Sequence, residues 1–283
     1  MILDAHTHVW PRWPYRPDVP DSDSRGRAEN LLLEMDRAGV DAAFIVNARI
    51  DNASDNNEYG AEVAAGHPGR LLQVADIDSR FGPDYHRPGA ADRLRALVDE
   101  YRPVGISHYL EPKNDGWLLS DEGSEFLRVA DEAKLVITLA APPDWYDDLR
   151  TAARQFPSLA MIANHLAVVT LHPGGIDEGL RLVLDHDDLP NLLVKVSGYY
   201  YGHGRPWDYP YLDRLPIVRA FYESWGPGRM VWASDWPSLL PHHSYTQAVH
   251  LLGDNADFLA EGDLERIMGG TLGALLAERG VLV

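Results

Sequence analysis

Eight short runs of aliphatic and β-branched residues divide the chain at similar intervals, at 2–9, 42–47, 71–77, 104–109, 136–140, 160–165, 192–197 and 230–234. None alternates strictly between apolar and polar residues, as a strand with one wet face does. The pattern is that of parallel strands covered on both sides. Helical stretches lie between most of them. Residues 27–38 carry Leu31, Leu32 and Met35 and stop at Gly39. Residues 90–101 place Leu94, Leu97 and Val98 on one stripe, and 121–133 follow an N-cap candidate at Ser120 and turn Phe126, Leu127 and Val129 inward. Further helices are expected at 145–155, 176–185, 212–224, 244–258 and 263–277. Strands alternating with helices require right-handed crossovers and a parallel sheet. An open doubly wound sheet announces itself by a glycine-rich turn after an early strand. The segment after the first run here, residues 10–15, contains no glycine. The chain has 283 residues, close to the ~250 of a closed eight-fold barrel. The expected fold class is α/β, a (β/α)8 TIM barrel forming a single domain over residues 1–283.

The formal net charge is −18, and no basic run interrupts it. Such a surface repels nucleic acid and anionic lipid, and an anionic substrate would need local positive groups in its pocket. No apolar run reaches the length of a membrane span. There are no cysteines, which excludes disulfides, thiolate zinc sites and cysteine nucleophiles. A strand-like run beginning at residue 2 leaves no room for a charged leader before an apolar segment. The expectation is a cytoplasmic protein with a small-molecule substrate and no nucleic-acid or membrane partner, compatible with a homo-oligomer.

In a barrel of this kind the active site lies at the C-terminal ends of the strands. His6 and His8 sit at the end of the first run. Residues i and i+2 of a strand share a face, so the two imidazoles project together. Paired rigid nitrogens suit a divalent metal or a charged substrate, although a lone pair of histidines is more often hydrogen-bonded core. His165 ends the sixth run, Lys195 and Ser197 lie on the seventh, and Asp235 follows the eighth. Asp235 alone could cap a turn, and Ser197 alone could satisfy a backbone group. A lysine in an apolar strand is rarer, because an unpaired buried ammonium is costly. In a closed barrel all these side chains point at one axis. Long loops at 11–20 and 199–211 rise from the same end.

Asp4-Ala-His-Thr-His8, His165, Val194-Lys-Val-Ser-Gly198, Ala233-Ser-Asp-Trp-Pro237 and Ile267-Met-Gly-Gly-Thr271 occur in this order. Together they resemble the amidohydrolase superfamily, and more narrowly its amidohydrolase-2 group of lactonases and related metal-dependent hydrolases. The resemblance spans essentially the whole chain. It implies that His6 and His8 bind a metal or, in a metal-free site, the substrate. It implies that His165 polarises a carbonyl or ligates, and that Asp235 takes a proton from the attacking water. Lys195 and Ser197 match the group's strand-seven motif.

The chain departs from the full binuclear pattern, which needs a lysine or glutamate on strand four and a histidine on strand five. Residues 136–140 contain no histidine. Strand four offers His108, with Glu111 three residues on, and a regular strand cannot aim both inward. The expected cofactor is a single divalent metal, zinc or manganese, on His6, His8 and Asp235, with His165, His108 or Glu111 as fourth ligand. A metal-free site with Asp235 as base is the alternative. Other members of the group carry an arginine where this chain has Ser107. Candidate substrate-binding residues are Lys195, Ser197, Trp10, Arg49, His108, Tyr199 and Trp236, whose aromatic members suit a flat ring or a sugar face. Loop packing is the competing role for those aromatics. The expected reaction is hydrolysis of a lactone of a small carboxylated or sugar-derived compound, with Asp235 as general base and His165 assisting. Non-oxidative decarboxylation of an aromatic or muconate-type acid and opening of a cyclic amide are the alternatives. A barrel kept only as a binding module would have no reason to hold His6, His8, His165 and Asp235 together.

Overall fold

The computed structural model describes residues 1–16, 18–50, 53–184, 189–281 and 283. Eight parallel strands succeed one another in chain order around one sheet. They are β1 (Leu3–Thr7), β2 (Ala42–Val46), β3 (Leu71–Asp76), β4 (Gly105–Tyr109), β5 (Val136–Ala140), β6 (Ala160–Ala163), β7 (Leu192–Val196) and β8 (Met230–Trp232). The end of β8 meets β1 through a parallel bridge between Thr7 and Trp236. There the His8 N–H donates to the Trp236 carbonyl at 2.7 Å, and the Asp235 N–H donates to the His6 carbonyl at 2.8 Å. The expected TIM barrel is the observed fold.

Helices α1 (Ala28–Ala38), α2 (Asn56–Gly66), α3 (Ala90–Tyr101), α4 (Asp121–Glu132), α5 (Tyr146–Gln155), α6 (Ile176–Val183), α7 (Leu215–Trp225) and α8 (Tyr245–Asn255) alternate with the strands. The short α9 (Asp263–Glu265), a π turn over Arg266–Gly270 and α10 (Thr271–Glu278) follow. The sequence pattern did not reveal α2. Its buried positions are Asn56, Asn57 and Gly60, so it carries no apolar stripe to detect. The single helix expected over 263–277 is broken by the π turn. A Cβ on Gly269 would lie 2.5 Å from the Met1 carbonyl oxygen, so the turn packs directly on the start of the chain. Residue 185, the expected end of the sixth helix, and residue 17 of the proline-rich loop lie outside the described residues. Among the described residues no helix is long and apolar enough to cross a membrane.

Two apolar layers result. Phe44, Val46, Val74, Val136, Ile162 and Val231 fill the barrel with Leu3 and Ala5, and Leu272 and Leu276 of α10 complete that cluster. Ile45, Ile106, Val194, Leu94 and Phe126 belong to the larger layer between strands and helices. β1 changes its facing within this frame. It pairs Leu3 with Ala42 and Asp4 with Ala43, but Thr7 with Ile45, a slip of one residue. This bulge lets Ala5 face inward below it, and His6 and His8 face inward above it. Asp4 holds the bulge. One of its oxygens accepts from the His6 N–H at 3.1 Å and the Ser234 N–H at 2.9 Å, and the other accepts from the Tyr245 hydroxyl at 2.9 Å. Burial raises its carboxyl to about 6, against the pull of these donors.

Candidate active site

Barrel closure sets the geometry of the site, because the hydrogen bonds joining β8 to β1 are made by Asp235 and His8 themselves. Asp235 Oδ1 lies 3.7 Å from His6 Nε2 and 3.5 Å from His8 Nε2, and the two histidine nitrogens are 3.0 Å apart. All three residues are buried, and their ligand atoms lie within 4.8 Å of one another. Asp235 adopts φ 65°, a left-handed conformation that aspartate tolerates better than most residues. Its two oxygens differ. Oδ2 accepts from the Tyr200 hydroxyl at 2.5 Å and the Tyr201 hydroxyl at 2.9 Å. Among the described residues Oδ1 has no hydrogen-bond partner. A buried carboxylate oxygen left unpaired between two imidazole nitrogens fits a divalent cation, and two nitrogens with one oxygen are a donor set that zinc or manganese accepts.

Surrounding groups orient these three. His8 Nδ1 donates to the Val46 carbonyl at 2.6 Å, which leaves the lone pair on Nε2. Lys195 enters the barrel from β7 fully buried, and its Nζ lies 2.9 Å from His6 Nδ1. Burial pushes the Lys195 amine well down, with Asp4 and Asp235 opposing, and burial together with Lys195 pushes His6 well down. His165 lies beside His6, with ring centroids 4.6 Å apart, and its Nδ1 is 2.9 Å from Ser197 Oγ. Burial lowers His165 to about 4, so it is neutral near pH 7. β6 ends at Ala163, before this histidine. His165, Leu166, Ala167 and Val168 form a left-handed turn with φ between 46° and 58°. Such a turn of non-glycine residues costs roughly 1–2 kcal/mol per residue. For Asp235, burial works against ionisation, but His165, His8 and Tyr200 outweigh it and hold the carboxyl down to about 2.

A cleft of about 400 Å³ opens above these groups, lined by His6, His8, His165, Tyr15, Tyr109 and Tyr201 among others. His165 stands within it but outside the three-donor group. Two expected alternatives for a fourth ligand are corrected. His108 faces the helical layer. Its Nδ1 bonds the Ile77 carbonyl at 2.9 Å, its Nε2 lies 3.2 Å from His86, and its ring packs against Trp117 and Phe126. It is Ser107 and Tyr109 of β4 that face inward. Glu111 is half exposed and lies 3.8 Å from Arg80. Several expected substrate contacts stand behind or beside the cleft. Trp10 stacks on His8 at 5.0 Å as a buried backing. Tyr199 stacks on Tyr211, and Trp236 uses its carbonyl for barrel closure. Arg49 is exposed, bonds the Ser54 carbonyl, and lines a smaller neighbouring pocket. Tyr200 and Tyr201 had been legible only as part of an aromatic cluster, and Arg80, Phe81 and Tyr109 carried no local signal.

A family model described as an amidohydrolase matches residues 3–274. An L-fucono-1,5-lactonase from Burkholderia ambifaria is 26% identical over 248 residues, covering 83% of this chain and 80% of its own. An amidohydrolase from Burkholderia multivorans solved with bound zinc superposes with a TM-score of 0.78 at 19% identity, covering 98% of this chain and 99% of that one. A probable 2-pyrone-4,6-dicarboxylic acid hydrolase from Acinetobacter baumannii, solved with citric acid, gives a TM-score of 0.72 at 17% identity with the same coverage.

Proposed function

The chain belongs to the amidohydrolase family, and from that premise we propose that it is a hydrolase opening a lactone ring by attack of water, with Asp235 as general base. The observation that carries this reading is the unpartnered Asp235 Oδ1 beside two imidazoles on the floor of a cleft. The likeness to a lactonase over most of the chain supports the ester-ring substrate.

The ring lies in the cleft with its carbonyl toward His165. When the Ser197 hydroxyl donates to His165 Nδ1, the neutral imidazole presents its Nε2–H to the carbonyl oxygen. Tyr200 and Tyr201 hold Oδ2, so Oδ1 takes the proton of the incoming water. Water adds to the carbonyl carbon and the ring C–O bond breaks. The departing alkoxide takes the proton that Oδ1 accepted, giving a hydroxy acid and returning Asp235 to its carboxylate form. A carboxylate ionised down to about pH 2 is a weak base by itself. A divalent cation held by His6, His8 and Asp235 would supply positive charge that polarises the carbonyl and acidifies water. Lys195 fixes the His6 ring from behind, and the His8 ring is fixed by Val46 and Trp10.

A pH-indicator assay over a panel of five- and six-membered lactones tests the reading, alongside elemental analysis of the purified protein. Acid release that disappears in Asp235→Asn is expected, with a divalent metal near one per chain that is lost in His6→Ala. Carbon dioxide release from aromatic acids without any lactone opening would favour decarboxylation instead.

A further inference from the structure

The reaction cleft is not closed on its β4–β6 side. Arg80, Tyr109, Val168 and Leu171 line both the cleft and a second chamber of about 740 Å³, larger than the cleft itself. The apolar part of the chamber wall is built from Leu110, Pro112, Ala140, Pro142, Pro143 and Pro173. Proline has no N–H, so four of these six residues bring no backbone donor. At its edge His172 lies 3.8 Å from Asp144 and Arg80 lies 3.8 Å from Glu111, and Lys113 and Asn114 complete the polar part of the rim. Leu171 is 53% exposed at the junction and Phe81 is 45% exposed at the cleft mouth. Large apolar side chains left in water at the opening of a cavity gain by covering against hydrocarbon. Val168 joins the two spaces from the same left-handed turn that sets His165, at φ 46° for a β-branched residue. Strain of this kind persists where the surrounding structure enforces a functional placement. Cleft and chamber are each of a size that holds a ligand, and an unsubstituted lactone ring fills only one of them.

We propose that the substrate is a lactone bearing an apolar arm, alkyl or aryl, which lies in the second chamber while the ring ester sits over Asp235. This rests on the lactonase reading and specifies its substrate class. A polyhydroxylated ring with no arm leaves the chamber wet and its apolar wall uncovered.

The test is a series of γ-lactones with unbranched alkyl substituents from none to eight carbons. In the wild-type enzyme kcat/KM should rise about three- to fourfold per methylene until the chamber is filled. In Ala140→Phe, which fills the chamber from the end of β5, that slope should vanish, and Leu171→Asp should reverse it. A flat series with turnover of the short lactones would overturn the arm and leave the lactonase reading standing. If no lactone is opened, that reading fails, and calorimetry with inert 2-alkyltetrahydrofurans decides the chamber alone. Tighter binding of the octyl than of the methyl ether, lost in Ala140→Phe or Leu171→Asp, supports the chamber, and equal binding of the two ethers overturns it.

Discussion

The two oxygens of Asp235 have unlike surroundings, so substitutions at and around it separate into two effects. Asp235→Asn keeps the shape and removes the proton acceptor. Loss of a general base is typically worth 10²–10⁴ in rate, and kcat/KM should fall by about that factor while the far-ultraviolet circular dichroism stays unchanged. Tyr200→Phe instead removes one of two donors to Oδ2. It should lower kcat about tenfold with little change in KM, because the phenol steadies the carboxylate and does not line the cleft. A rise in KM with kcat unchanged would contradict that role. His6 and His8 were visible in the sequence because i and i+2 spacing is a local signal. The Tyr200–Asp235 contact was not, since it spans 35 positions and depends on the path of a loop. His108 was placed on the wrong side for a different reason. A strand buried on both faces shows no polar alternation, so nothing local tells which parity faces the axis.

At the scale of elements, His108 becomes a wedge between β4 and α4, where burial lowers it to about 4. Below pH 6.5 the unfolded chain takes up a proton that this folded imidazole refuses. Its contribution to stability is therefore complete above 6.5 and drains away as pH falls toward 4. Urea unfolding at pH 7 and pH 4.5 should show the wild type losing about 2–3 kcal/mol more than His108→Gln between the two conditions. The comparison cancels the buried groups that do not touch His108, such as the lowered His165, which are common to both proteins. Equal losses would mean that His108 is protonated in the folded state. Element positions were largely legible, because each apolar run and each helical stripe is a signal local to its own stretch of chain. The exceptions have physical causes. α2 buries asparagines and a glycine rather than a stripe, the π turn answers to packing of Gly269 on Met1, and the β1 bulge is held by Asp4 across the barrel seam.

The barrel as a whole was legible because its evidence repeats eight times along the chain, whereas the chamber beside the cleft is made by residues from four separate stretches and has no sequence signature. One further property belongs only to the whole molecule, its net charge of −18. The summed field opposes the approach of an anion at distances where no single residue matters, and salt weakens it, with a Debye length of about 10 Å at 0.1 M. Within a few ångströms of the cleft the balance is different. Arg80 lines it, and Lys113 lines the adjoining chamber. For a neutral alkyl lactone neither field acts on encounter, so kcat/KM should be indifferent to sodium chloride between about 10 and 150 mM. For a lactone carrying a carboxylate, screening removes the long-range repulsion first, and kcat/KM should rise severalfold over the same range. A fall for the carboxylated compound would mean that the local cations, and not the acidic shell, govern its capture, and the physiological substrate would then be sought among anionic lactones.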